Sequence, residues 1–203
     1  MAPRFVARQL SRPTGLGGRI IRSLMNRGNA SLNSYAVEQL RLSADDRVLE
    51  IGFGGGVALP RPIREAAYVC GVDASPDVVK AATTRFANDV SAGRAEFRVG
   101  MVESLPSPDA AFDKALSVNT VYFWKSLESG AREIGRVLKP GGRVVLGFVP
   151  KARMDRMNMP ADIFTPRKPD DVAAALADAG FDAVEVRKPR GDWGWMTATG
   201  VRT

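Results

Sequence analysis

The residues best able to do chemistry stand in one short run, Val48-Leu49-Glu50-Ile51-Gly52-Phe53-Gly54-Gly55-Gly56, and in one acid beyond it, Asp73. An apolar strand that enters glycines lets the backbone turn sharply and lets a ligand approach the main chain. From Glu50 the run reads E-x-G-x-G-x-G. It is not the dinucleotide pattern G-x-G-x-x-G, which needs a glycine or alanine where Val57 stands. Asp73 follows Gly52 by 21 residues, at the end of the next apolar segment. A carboxylate there can accept both hydroxyls of a ribose. A glycine cluster alone marks an ordinary strand-to-helix turn. Cluster, spaced acid and strand–helix–strand context together point to a nucleoside-bearing ligand.

What the chain lacks narrows the chemistry. It has no histidine and a single cysteine, Cys70. That removes a disulfide framework, a Cys/His zinc site, a Ser-His-Asp triad and a Cys-His dyad. Only an all-carboxylate metal site is left open by composition, and no metal is expected. Cys70 reads as a buried strand residue, and nothing needs an oxidising compartment, so a cytoplasmic location is expected. No apolar run is long enough to cross a bilayer, and no signal-peptide core is present.

Charge is unevenly spread. The net charge is +7, and Arg4, Arg8, Arg12, Arg19, Arg22 and Arg27 all precede the first acid, Glu38. The body is therefore nearly neutral and is not a nucleic-acid-binding surface. The arm reads as a solvated arginine-rich segment; the alternatives are contact with phospholipid headgroups or RNA. A mitochondrial targeting segment is disfavoured, because the arm runs directly into plausible helix.

These residues need a scaffold, and 203 residues suit one domain. Residues 1–14 read as irregular, 16–25 and 34–42 as helices. Strand and helix signals then alternate: strands at 47–51, 68–72, 96–99, 112–118, 143–149, 183–187 and 195–201, with helices from Pro76 toward Asn88, over 126–138 and from Pro169 to Gly180. Ser75-Pro76-Asp77 is a helix start, with serine as cap, proline at the first position and an acid in the first turn. Pro60 and Pro62 predict a late or irregular first helix after the glycines. Lys139-Pro140-Gly141-Gly142 predicts a stop. The pattern is α/β: a mostly parallel sheet with helices on both faces and one ligand crevice at the strand carboxyl ends. Residues 1–42 form an arm with cap helices, and 43–203 a domain whose long connection 150–168 reads as a lid.

The sequence resembles the class I S-adenosylmethionine-dependent methyltransferases of small bacterial type. The resemblance rests on VLEIGFGGG (48–56), GVDASPD (71–77), VESLP (102–106), FDKALSVNTVYFW (112–124) and LKPGGRVVL (138–146). It implies a Rossmann-like seven-stranded sheet with the last strand antiparallel, and S-adenosylmethionine as cofactor. By position, Gly52, Gly54 and Gly56 would lie against the methionine part. Glu50 would orient the loop or the ammonium, and Asp73 would hold the ribose. Ala74 and Ser75 would flank the adenine, Val102 and Glu103 would meet its edge, and Ser117 and Val118 would floor the sulfonium. Met101 stands where many relatives carry an acid.

The acceptor side is less defined. Methyl transfer from a sulfonium is an in-line displacement in which the protein aligns and excludes water. Candidate bases are Tyr35, Tyr122, Glu38 and Glu103; Tyr35 reads equally as a core residue. Asn119, Tyr122, Trp124, Met157 and Phe164 are candidate acceptor contacts, with packing as the alternative. Asn119-Thr120-Val121-Tyr122 lacks both prolines of the N-P-P-Y motif used by base-methylating enzymes, so a nucleic-acid acceptor is disfavoured. Trp193 and Trp195 are expected to pack in the last hairpin, and Arg85, Arg94 and Arg98 to form a solvated surface. The expected function is methylation of oxygen or nitrogen on a small, apolar or aromatic acceptor. The alternatives are methylation of a lipid headgroup or quinone by peripheral membrane contact, or a non-catalytic cofactor-binding module.

Overall fold

Alternation along each strand sorts side chains into two apolar layers. Leu49, Ile51, Cys70, Val72, Ala115 and Leu146 enter one buried cluster. Val48, Val69, Ala95, Phe97, Leu116 and Val145 enter the other. Both layers need helices to cover them, and the chain supplies helices to both. The computed structural model describes residues 30–157, 159–189 and 194–203. The expected irregular segment 1–14, the helix at 16–25 and Trp193 lie outside these residues.

The helices are α1 (30–40), α2 (Pro60–Glu65), α3 (Pro76–Arg85), α4 (Ala87–Ser91), α5 (Leu127–Val137), α6 (Lys151–Arg156) and α7 (Pro169–Asp178). The strands are β1 (Arg47–Ile51), β2 (Tyr68–Asp73), β3 (Ala95–Val99), β4 (Phe112–Val118), β5 (Leu138–Phe148), β6 (Phe181–Arg187) and β7 (Met196–Arg202). They form one seven-stranded sheet in the order β3-β2-β1-β4-β5-β7-β6. β1 pairs in parallel with β2 and β4, β2 with β3, and β4 with β5. β7 runs antiparallel to both β5 and β6. The expected architecture, antiparallel last strand included, is therefore observed. The strand order reverses between β1 and β4, which opens the crevice where such sheets bind ligands.

Local signals account for most element ends. Ser75 caps α3, its Oγ accepting from Val78 N–H at 3.4 Å, with Pro76 and Asp77 in the first turn. α2 is six residues long, carries both prolines and has no side-chain cap. Four expectations need correction. α1 is already helical at residue 30 and ends at 40, where Arg41 turns left-handed at φ 54°. α3 stops at Arg85 because Phe86 leaves helical geometry, and α4 restarts beyond it. The stop at 139–142 belongs to β5: Leu138 pairs with Phe112 and Arg143 with Lys114, so the register bulges between them. Arg85, Arg94 and Arg98 are not merely solvated: they bind the Gly55 carbonyl at 3.1 Å, the Ile63 carbonyl at 3.3 Å and Glu96 at 2.6 Å.

Candidate active site

The loops leaving the carboxyl ends of β1 to β4 are laced to one another. Asp73 sits at the tip of β2. Its Oδ2 accepts from Gly54 N–H at 3.0 Å and its Oδ1 from Ser75 N–H at 2.9 Å, joining the first tip to the second. The Asp73 carbonyl accepts from Gly100 N–H at 3.0 Å, joining the second to the third. Glu103 accepts from Lys125 N–H at 2.7 Å, joining the third to the fourth. Ser117 Oγ donates to the Ile51 carbonyl at 2.8 Å and closes the ring.

The glycines earn their positions sterically. Gly52, Gly54 and Gly56 have φ of 68°, 50° and 64°, a region that side chains resist. A Cβ on Gly52 would lie 2.5 Å from Thr120 Cγ2, so the fourth tip presses on the first. A Cβ on Gly54 would meet nothing within 4 Å, so open space lies against that backbone. Arg85 crosses from α3 to hold the Gly55 carbonyl.

Glu50 lies buried in β1, and its Oε2 has no hydrogen-bond partner. Burial, and then the charge of Asp73, push its pKa up to about 8. A carboxyl so placed suits a cationic group brought to it. Cradle glycines, an orphaned buried carboxyl oxygen and a fixed Asp73 fit the three polar parts of S-adenosylmethionine. Ala74 is half-buried and Ser75 buried, directly after Asp73. Val102 is buried and Glu103 half-buried, with the Glu103 carboxylate turned toward Lys125.

On the acceptor side the structure redistributes the sequence candidates. Val118 is half-buried and packs into the sheet core. Asn119 turns left-handed at φ 58°, and its Oδ1 accepts from the Tyr122 hydroxyl at 3.2 Å. The same hydroxyl accepts from Val149 N–H. Burial holds the Tyr122 pKa above the ordinary phenol value. Tyr122 is therefore an anchor between loops, and as a base it is poorly suited. The Tyr35 ring packs on Trp195, centroids 5.4 Å apart, so Trp195 does not pack within the hairpin alone. Trp124 is buried on Gly130 and donates to Thr120 Oγ1 at 3.1 Å. Phe164 is buried against Phe123, at 4.9 Å, and Tyr122. Met157 is 49% exposed and is not brought to this cluster.

The connection 150–168 is a strap tied to the fourth tip. Thr165 N–H donates to the Tyr122 carbonyl at 3.0 Å, and Arg167 donates to the carbonyls of Val121 at 3.2 Å and Trp124 at 2.7 Å. Sequence reasoning missed Arg85, Thr120 and Arg167, because each acts on backbone distant in sequence and no local pattern marks it. Cys70 is buried and free, and burial raises its pKa to about 11. Among the described residues no cluster of three His, Cys, Asp or Glu could hold a metal, and no helix is long and apolar enough to cross a membrane.

Comparison with known proteins agrees with this geometry. The family model of a methyltransferase domain matches residues 49–146. An uncharacterized methyltransferase of Bacillus subtilis, YdaC, is 30% identical over 130 residues, covering 63% of this chain and 70% of that protein. Erythromycin 3''-O-methyltransferase of Saccharopolyspora erythraea is 27% identical over 186 residues, covering 82% of this chain and 60% of the enzyme. The ubiquinone/menaquinone biosynthesis C-methyltransferase UbiE of Geobacter sulfurreducens is 35% identical over 124 residues, 59% of this chain and 48% of its own. The chain thus spans only part of the latter two. Among solved structures, YcgJ of Bacillus subtilis superposes with TM-score 0.73 at 18% identity, over 85% of this chain and 98% of that one. The chain belongs to the class I S-adenosylmethionine-dependent methyltransferases, and it uses S-adenosylmethionine as its methyl donor.

Proposed function

We propose that the protein methylates oxygen or nitrogen of a small, apolar or aromatic acceptor, in the cytoplasm. The observation that carries this reading is the closed ring of loop tips around a crevice with Glu50 and Asp73 at its base. In this reading residues 43–203 bind the donor, while residues 1–42 and the strap 150–168 wall the acceptor. Gly52, Gly54 and Gly56 receive the donor's amino-acid end and Glu50 its ammonium. Asp73 accepts the ribose hydroxyls. A carboxylate accepts about four hydrogen bonds, so backbone and ribose bonds are compatible there. Ala74, Ser75, Val102 and Glu103 border the adenine, and Ser117 and Val118 the sulfonium.

The donor supplies an activated methyl group, so the protein's work is alignment and exclusion of water. Relatives differ in the attacked atom, oxygen in the erythromycin enzyme and carbon in UbiE. Carbon methylation must also shed a proton from carbon. A chain without histidine, whose Tyr122 is engaged twice, suits an amine or acidic hydroxyl better. Asn119, Tyr122, Trp124 and Phe164 shape the acceptor side through packing.

Calorimetry with S-adenosylhomocysteine tests the donor assignment. Asp73→Ala is expected to weaken binding by about 1–3 kcal/mol, since the ribose loses a charged acceptor. Equal affinity in the variant removes the ribose assignment, and no binding by the wild type removes the reading.

A further inference from the structure

Cations in the described domain mostly have partners: Arg94 pairs with Asp89, Arg98 with Glu96, Arg136 with Glu133 and Lys139 with Asp113. Arg153, Arg156 and Lys188 form no ion pair or side-chain hydrogen bond among the described residues, and these three line one cavity of about 170 Å³. Its other walls include Gly194, Trp195 and Met196, and among the described residues no acid lines it. The neighbouring Asp155 is committed to Lys151 at 2.9 Å.

The cavity is built as well as charged. Trp195 is nearly buried and backed by the Tyr35 ring, giving a firm wall. Gly194 has φ 70°, and a side chain there would overlap the Arg153 guanidinium, which lies across the glycine. Three like charges around one concavity repel, and an anion relieves them. Guanidinium forks match phosphate oxygens in geometry as well as charge.

Its place relative to the donor crevice is set by the sheet. Met196 pairs with Phe148 at the carboxyl end of β5, and Thr197 pairs with Arg187 at that of β6. The cavity therefore opens at the same sheet edge as the donor crevice. β7 stands two strands from β4, a span of roughly 10 Å. We propose that this cavity binds the phosphate or diphosphate group of a phosphorylated small-molecule acceptor, whose reacting atom lies about 10 Å away beside the tip of β4. The assignment to an acceptor rests on the methyl-transfer reading above.

The test is calorimetry on the full chain saturated with S-adenosylhomocysteine, titrated with inorganic pyrophosphate at low salt. Wild type is expected to bind, more weakly as salt rises. Arg153→Gln with Arg156→Gln is expected to lose about tenfold or more in pyrophosphate affinity while keeping S-adenosylhomocysteine affinity. Lys188→Gln, on an exposed residue past β6, gives a smaller loss and serves if the double variant fails to fold. No pyrophosphate binding, or equal binding in wild type and Lys188→Gln or the double variant, overturns the cavity assignment alone. Absent S-adenosylhomocysteine binding by wild type overturns the methyl-transfer reading, and the acceptor assignment with it. Flotation with phosphatidylglycerol vesicles is the second arm. Vesicle binding that needs Arg153 and Arg156, without pyrophosphate binding, assigns the cavity to a lipid headgroup and overturns the small-molecule proposal.

Discussion

At the scale of single residues, Glu50 carries the sharpest consequence. A buried carboxyl with an orphaned oxygen holds its proton past neutrality, and its pKa of about 8 stands above the ordinary 4.5. The folded state therefore binds a proton that the unfolded chain releases between those values. Stability from this group is full below pH 4.5 and is lost as pH rises through about 8. Urea unfolding of the ligand-free protein should show stability falling with pH by a few kcal/mol across that window, and Glu50→Gln should flatten the fall. A cation delivered to Glu50 favours its ionised form, so donor binding near pH 7 should expel a proton. Calorimetry with S-adenosylhomocysteine in buffers of different ionisation enthalpy reads that directly. Proton release by wild type and none by Glu50→Gln is the expected pair; equal release in both removes Glu50 from the ammonium. The glycines and acids of this site were legible because their spacing is local. Glu50's orphaned oxygen was not, since burial is a property of the whole sheet.

At the scale of elements, the strap 150–168 is held by what Arg167 does. Its guanidinium reaches carbonyls 43 and 46 residues away, and burial depresses its pKa, offset only in part by the charges of Glu128 and Asp171. Arg167→Met keeps the apolar stem and drops both bonds, at a cost of about 1–3 kcal/mol. Hydrogen exchange should quicken at the amides of 159–168 and leave β1 and β4 protected. Uniform quickening would mean that Arg167 supports the whole fold rather than the strap. Element starts were readable wherever caps speak locally, as at Ser75-Pro76-Asp77. The merging of 139–142 into β5 was not, because a bulge exists only against its partner strand, here the segment Phe112–Lys114. Phe86 was missed for a similar reason: it breaks the helix while packing on Phe97, centroids 5.8 Å apart.

At the scale of the molecule, strand–helix alternation was visible in the apolar pattern and the resemblance implied seven strands with the last antiparallel, whereas the order β3-β2-β1-β4-β5-β7-β6 came only with the structure, since no local residue dictates which strands become neighbours. That order places the reversal between β1 and β4, and the ring of loop tips closes over it. A ligand seated there bridges four connections and should hold the two halves of the sheet together. S-adenosylhomocysteine at one hundred times its dissociation constant adds about 2.7 kcal/mol to stability. For a chain of this size that corresponds to a melting temperature higher by roughly 5–10 °C. Asp73→Ala, at the same ligand concentration, should recover about two-thirds of that gain or less; a tenfold weaker site yields about 1.4 kcal/mol. Thermal unfolding followed by circular dichroism measures both. A full upshift retained in Asp73→Ala would place the stabilising contacts elsewhere, and the absence of any upshift in wild type would separate the fold from the donor site built upon it.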